Sequence, residues 1–395
     1  MKMKRFISIA VCICMLAVLV SGCGSAKNSN SKNESTTASG AASSANAASS
    51  GEEKTDAPKF KVGFSYFSFT DQLGAELKKQ LEYVAKGFGC EIVFKEWTSL
   101  DVESMTATNE ALIEEGCDGI ISVMATPAMI EACDKAGVHL VQIASTLTDP
   151  EAVKAAQASD YYVGSVTAND YDVGYSMAKA LYDAGTRNIA YISIPPGMSS
   201  AHDDRIKGIE KFAEEHSSDF KIITNFRTAD SSKYVEGFRQ IMAANPEIDG
   251  MIQTGNSGTV IATIYSDGLK DKVKFATVDV KEDTRKYLED GTMVFVAGGQ
   301  GYLASFTFVL LYSQMAGKPL LPKEDRTETL KLKYIHMKSG EDYDNYMKYI
   351  EGDIPAYSID ELKALSPVFN PDATVENLKK VMDTYSLEDV VQRHG

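Results

Sequence analysis

From Phe60 onward, short apolar runs alternate with stretches whose apolar residues recur every three to four positions. The runs at residues 61–64, 91–94, 119–123 and 139–143 read as strands. Gly119-Ile120-Ile121-Ser122-Val123 is almost wholly apolar, as expected of a strand covered on both faces. Residues 71–86 read as a helix that Thr70 or Asp71 can cap, with Leu73, Leu77, Leu81 and Val84 forming one stripe. A second helix over 102–115 stops at Gly116, and Thr126-Pro127 opens a third with proline in the first turn. The pattern resumes with strands at 189–193, 222–226, 251–253, 274–278 and 294–297, separated by helices over 201–215, 233–244, 257–267 and 281–290. Such β-α repetition implies parallel sheets with right-handed crossovers. So many units exceed one comfortable core, so the expected class is α/β with two doubly wound, Rossmann-like lobes. Ligands of such sheets bind at the carboxyl ends of the strands, which places a site in the cleft between the lobes.

The first residues follow another pattern. Met1-Lys2-Met3-Lys4-Arg5 is basic, residues 6–20 are apolar, and Val20-Ser21-Gly22-Cys23 offers a small-residue cleavage site. This is the three-part layout of a signal peptide over 1–22, and its apolar run is short for a membrane span. The cysteine at its end resembles the bacterial lipobox, which implies that Cys23 is lipidated and becomes the new N-terminus. Residues 23–57 are then a tether, because their Ser, Ala, Asn, Gly, Thr and Lys cannot bury enough apolar surface to fold. The expected location is the outer face of the bacterial cytoplasmic membrane, with the lipid as anchor.

Composition narrows the partners. A net charge of −15 disfavours nucleic acid and anionic lipid surfaces. Cys12 and Cys14 would leave with the signal, and Cys90, Cys117 and Cys133 show no Cys-x-x-Cys spacing, so they read as small buried hydrophobes. None of His139, His202, His216, His336 and His394 has metal-ligand spacing. Gly197-Met198-Ser199-Ser200-Ala201 lacks the second glycine of a nucleophile elbow, and Gly298-Gly299-Gln300-Gly301 is not a dinucleotide fingerprint. No catalytic residue, metal or cofactor is expected, and the chain reads as a binding protein rather than an enzyme.

Several segments, taken in order, carry a family resemblance. Lys61-Val62-Gly63-Phe64-Ser65 opens the domain. Gly116-Cys117-Asp118-Gly119-Ile120-Ile121, Ala136-Gly137-Val138-His139-Leu140-Val141, Asn169-Asp170-Tyr171-Asp172-Val173-Gly174, Asp204-Arg205-Ile206-Lys207-Gly208, Val278-Asp279 and Ala316-Gly317-Lys318 follow. Over residues 59–333 the chain resembles type I periplasmic binding proteins of the ribose- and galactose-binding kind, the substrate-binding lipoproteins of sugar ABC transporters. The resemblance implies an N-terminal lobe of 58–185 plus 298–326 and a C-terminal lobe of 186–297 plus 327–337. A three-crossing hinge would lie near 184–187, 296–299 and 325–331. It also implies ligand contacts at Asp170 and Arg205, one from each lobe at the cleft mouth, at Asp279, at Asn256 or its neighbour Thr254, and at Gln300.

Each of these residues has a plainer reading. Asp170 can cap a helix starting at Tyr171, Arg205 can pair with Asp203 or Asp204, and Asp279 can cap the helix at Lys281. Tyr66-Phe67-Ser68-Phe69-Thr70-Asp71 departs from the family's first loop. Phe67 or Phe69 would line the cleft and Asp71 would hold a hydroxyl or an amine, although core packing also suits these rings, as it does Trp97. Residues 338–395 exceed the family's usual length and are expected to form a helical extension, a decoration on one lobe or else a partner surface. The implied function is capture of a small polar solute, a monosaccharide first, by hinge closure, and delivery by a monomer to the permease of an ABC importer. The alternatives are a module presenting a quorum signal or other ligand to a sensor or chemoreceptor, and a nucleoside-binding lipoprotein of the same fold.

Overall fold

The computed structural model describes residues 57–255 and 258–394. The expected signal peptide, Cys23, nearly all of the tether, and Asn256 lie outside the described residues.

The first lobe begins as a regular βα alternation: β1 (Lys61–Tyr66), α1 (Gln72–Phe88), β2 (Glu91–Glu96), α2 (Val102–Glu114), β3 (Gly119–Ser122), α3 (Pro127–Ala136), β4 (His139–Ile143), α4 (Pro150–Ala158) and β5 (Tyr162–Ala168). The local signals act as read. The Asp71 carboxylate accepts from Gly74 N at 3.2 Å and starts α1. Thr126 caps α3 by accepting from Met129 N, with Pro127 in its first turn. Leu77, Leu81 and Val84 of the α1 stripe are wholly buried.

The second lobe runs through α5 (Asp170–Asp183), β6 (Asn188–Ser193), α6 (Ser200–Glu215), β7 (Lys221–Arg227), α7 (Tyr234–Ala244), β8 (Gly250–Gln253), α8 (Thr259–Ser266), β9 (Lys274–Val278), α9 (Thr284–Glu289) and β10 (Met293–Gly298). The chain then returns to the first lobe with α10 (Leu303–Met315) and β11 (Thr329–Leu332) and crosses again into β12 (Ile335–Met337). The two sheets have six strands each, in the orders β11-β5-β4-β3-β1-β2 and β12-β10-β9-β8-β6-β7. All pairings are parallel except β12 against β10. The class is α/β with two doubly wound lobes, as the periodicity predicts.

The lobe boundaries correct two expectations. The first crossing lies at Asn169, between β5 and α5, not near 184–187, because α5 packs on α6, β8, β9 and β10 of the second lobe. Gly174 allows this: a Cβ there would sit 2.0 Å from the carbonyl oxygen of Arg205, so the α5 and α6 backbones touch. The strand at 329–332 pairs with β5, so it belongs to the first lobe, and the third crossing falls at Lys333-Tyr334 rather than within 325–331. The second crossing, at Gly298 to Gln300, overlaps the expected one. Strand β5, strand β12 and helix α4 have no counterpart among the predicted elements.

Helices α11 (Gly340–Tyr349), α12 (Ile359–Ala364), α13 (Val375–Thr384) and α14 (Leu387–His394) form the extension. Capping boxes at Ser339/Asp342, Ser358/Glu361 and Thr374/Asn377 start the first three. The extension is not a decoration on one lobe. Arg285 of α9 pairs with Asp344 at 2.8 Å, while Lys79 of α1 donates to the Glu351 carbonyl at 2.6 Å and Ser313 of α10 meets Ser366 at 2.8 Å. Two buried tyrosines reach the hinge itself. Gly299, at φ +85°, donates its N–H to Tyr346 Oη at 3.0 Å, and its carbonyl accepts from Tyr385 Oη at 3.2 Å. A Cβ at residue 299 would lie 2.7 Å from the Tyr385 hydroxyl, so the position needs glycine for both its φ and its space.

Candidate functional site

The parallel strands of both sheets point their carboxyl ends toward the seam between the lobes; antiparallel β12 runs the other way. From the first lobe come Tyr66 at the end of β1, whose partner in β2 is Glu96, then Trp97 and the loop into α1. From the second come Ser193, Thr254 and Asp279, at or just past the ends of β6, β8 and β9. Asp279 adopts φ +77°, a conformation a non-glycine side chain holds only where its surroundings enforce it. The lobes touch here: Gln72 of α1 donates Nε2 to the Val280 carbonyl at 2.9 Å and accepts from Lys281 Nζ at 2.7 Å.

Asp170 and Arg205 meet, but not across the cleft. Both belong to the second lobe, on α5 and α6, and both are buried. Arg205 donates Nε to Asp170 Oδ1 at 2.8 Å and Nη2 to the Tyr334 hydroxyl at 2.7 Å, and its Nη1 reaches the Thr254 carbonyl. Tyr334 donates to the same Asp170 oxygen at 2.7 Å and accepts from Gln300 Nε2 at 3.1 Å. Tyr334 and Gln300 sit on the third and second hinge crossings, so the ion pair is tied to the hinge. The expectation of one residue from each lobe fails because the first crossing precedes α5. Neither surface pairing of Arg205 forms, and Asn169, not Asp170, caps α5.

Burial alone lowers the Arg205 pKa, but the phenol of Tyr334 and the carboxylates of Asp170 and Asp279 outweigh it and hold the guanidinium charged. Beside it, His202 shares a 2.8 Å hydrogen bond with Thr254 Oγ1, which donates to Ser193 Oγ at 2.8 Å. Burial, with Arg205 second, pushes His202 down to about 3, so its imidazole is neutral.

The first-lobe wall divides the aromatic loop. Phe67 is 39% exposed, with its ring 4.6 Å from Tyr66 and 6.4 Å from Trp97. Phe69 turns to the core and packs against Phe64 and Phe94. Asp71 spends Oδ1 on the helix cap, and its Oδ2 is buried without a partner. Trp97 Nε1 is likewise buried and unpartnered. Gln72 also donates to Glu76 at 3.0 Å, and burial, then the nearby Glu351 carboxylate, push Glu76 up to about 8.

Sequence reasoning missed Tyr334, Gln72, Glu76 and Lys281. Gln72 and Glu76 share a helix face at i, i+4, a legible signal once Asp71 is known as the cap. Tyr334 carries no local signal, because its role depends on two sheets meeting. Among the described residues no cluster of metal-ligating side chains occurs, and no helix there is long and apolar enough to cross a membrane.

Among solved structures the chain is similar to an ABC transporter solute-binding protein from Actinobacillus succinogenes with bound D-allose, at 19% identity and TM-score 0.63, covering 72% of this chain and 99% of that one. It is similar to one from Agrobacterium vitis bound with alpha-D-tagatopyranose, at 17% and 0.60, covering 73% and 96%. A third is the 5-methylthioribose transporter solute-binding protein of Thermotoga lettingae, at 17% and 0.60, covering 82% and 97%. At these identities the likeness is one of fold. No curated protein sequence matches the chain. Residues 62–319 match the family model described as the periplasmic binding protein domain. With that match over most of its length, two six-stranded lobes and three crossings between them, the chain belongs to the periplasmic binding protein family.

Proposed function

We propose that the chain captures a small polar solute, a monosaccharide or a close relative, between its lobes and delivers it to the membrane-spanning subunits of an ABC importer. The observation that carries this reading is the convergence of polar groups from both lobes on one seam, at the carboxyl ends of two sheets linked by three short crossings. Closure about such a hinge is how two-lobed binding proteins respond to ligand. A solute touching both lobes stabilises the closed form by its differential contacts. The sugars named for the similar structures support a hydroxylated ligand.

Cys23 would anchor the protein to the outer membrane face through lipid, with residues 24–57 as leash, and the protein would act as a monomer. Asp279, Asp71 and Phe67 are proposed as direct contacts, as is Asn256, which lies outside the described residues. Asp170, Arg205 and Gln300 are proposed to shape the second-lobe wall while bonded to Tyr334. Calorimetric titration of the protein with pentoses, hexoses and polyols tests the reading: one saturable 1:1 isotherm supports it, and steady turnover of a bound sugar contradicts it.

A further inference from the structure

The side-chain amide of Gln72 is committed at both its nitrogen and its oxygen. Gln72 opens α1 in the first lobe, directly after the capping Asp71. Its Nε2 donates to the Val280 carbonyl of the second lobe at 2.9 Å, and its Oε1 accepts from Lys281 Nζ at 2.7 Å. Nε2 also donates to Glu76 Oε1 at 3.0 Å, one turn along the same helix. An amide nitrogen has two hydrogens to give, so both are used. The i, i+4 bond to Glu76 holds the amide in place, so it gives up less freedom when it meets the other lobe.

The groups that face it also stand on a fixed turn. Val280 and Lys281 lie just past β9. The Lys281 N–H donates to the buried Thr284 Oγ1 at 2.9 Å, which ties the turn to the start of α9. The turn begins at Asp279, held at φ +77°. Both bonds of Gln72 to this turn cross from one lobe to the other, and a separation of about 1 Å breaks them. Gln72 follows Asp71 in the chain, and Val280 and Lys281 follow Asp279. The bonds across the seam therefore form in the same movement that brings these two proposed solute contacts toward each other.

We propose that Gln72 is an interlobe latch: it keeps the closed arrangement populated before a solute arrives, and so sets how tightly solutes bind without choosing among them. The affinity part rests on the seam being the solute site. Apparent affinity scales with the fraction of molecules in the binding-competent form. Loss of one bond from an ammonium and one to a carbonyl should lower that fraction, and the affinity with it, by about tenfold.

The test begins without solute. Distances are measured in the full chain between labels on exposed Glu110 of α2 and Lys221 of β7. Gln72→Leu should shift the distribution to longer values. Lys281→Met, which keeps the length of the side chain and removes the ammonium, should shift it the same way. Calorimetric titration with D-allose, D-tagatose, D-ribose and D-galactose follows. Every sugar that binds the parent should lose affinity by one common factor, about tenfold, with the order of preference unchanged. A distribution unchanged in both variants would overturn the latch. A loss confined to some sugars would make Gln72 a direct solute contact and would overturn it as well. A shifted distribution, with no sugar bound by the parent, would uphold the latch and overturn the monosaccharide reading instead.

Discussion

Arg205 Nε lies 2.8 Å from Asp170 Oδ1, with both side chains rising from helices of one lobe and roofed by the hydroxyl of Tyr334 from a hinge crossing. The pair is therefore part of the frame that sets the hinge. Removing one member leaves a buried charge uncompensated, which costs about 3–5 kcal/mol. Arg205→Ala and Asp170→Ala should each lower stability by that order in urea unfolding. Tyr334→Phe, which removes one hydroxyl, should cost only about 1–3 kcal/mol.

Gly174 makes a second, sterically cleaner case. Gly174→Ala would press a methyl against the Arg205 carbonyl, 2.0 Å away, and neither backbone is a flexible side chain that can yield. Overpacking of this kind costs about 1–3 kcal/mol. The melting temperature should fall, and Gly89→Ala makes a poor control because φ there is +73°; an exposed helical position such as Glu110→Ala should be near neutral.

The hinge tyrosines predict a change in motion rather than in fold. Tyr346 and Tyr385 hold the two backbone groups of Gly299. Tyr346→Phe with Tyr385→Phe removes two hydrogen bonds of roughly 0.5–1.5 kcal/mol each. Small-angle scattering of the double variant should show a wider spread of lobe separations than the parent. An unchanged profile would show that the extension does not restrain the hinge.

Glu76 makes stability depend on pH. Its carboxyl, held neutral up to about pH 8 by burial and by Glu351, ionises near pH 4.5 once the chain unfolds. The unfolded state thus binds fewer protons between these values, so this group's contribution falls as pH rises from about 4.5 to 8 and is flat below. Glu76→Gln removes that loss. The difference in melting temperature, variant minus parent, should grow from pH 5 to pH 8, and a difference independent of pH would contradict the account.

The fold was legible because strand periodicity and caps are local. Asp71, Thr126-Pro127 and the α1 stripe act where the pattern placed them. What escaped depends on nonlocal contact. The resemblance implies a crossing near 184–187, yet the chain changes lobes at Asn169, where only the docking of α5 on α6 shows it. Residues 329–332 and 335–337 are two strands three residues apart that join different sheets, a division no local pattern carries. At the site, Asp170 and Arg205 were visible as residue types at motif spacing, but Tyr334, which satisfies them both, was not. The extension reads in sequence only as a decoration or a partner surface; the grip of Tyr346 and Tyr385 on Gly299 emerges only when the hinge folds back beneath them.

The central claim is that a solute draws the two lobes together. It is tested most directly by a distance measurement between labels on exposed Glu110 of α2 and Lys221 of β7, with and without the tightest-binding sugar. The account predicts a narrower distribution, shifted to one value at saturation and reversed when ligand is removed. Binding that leaves the distribution unchanged would contradict capture by hinge closure.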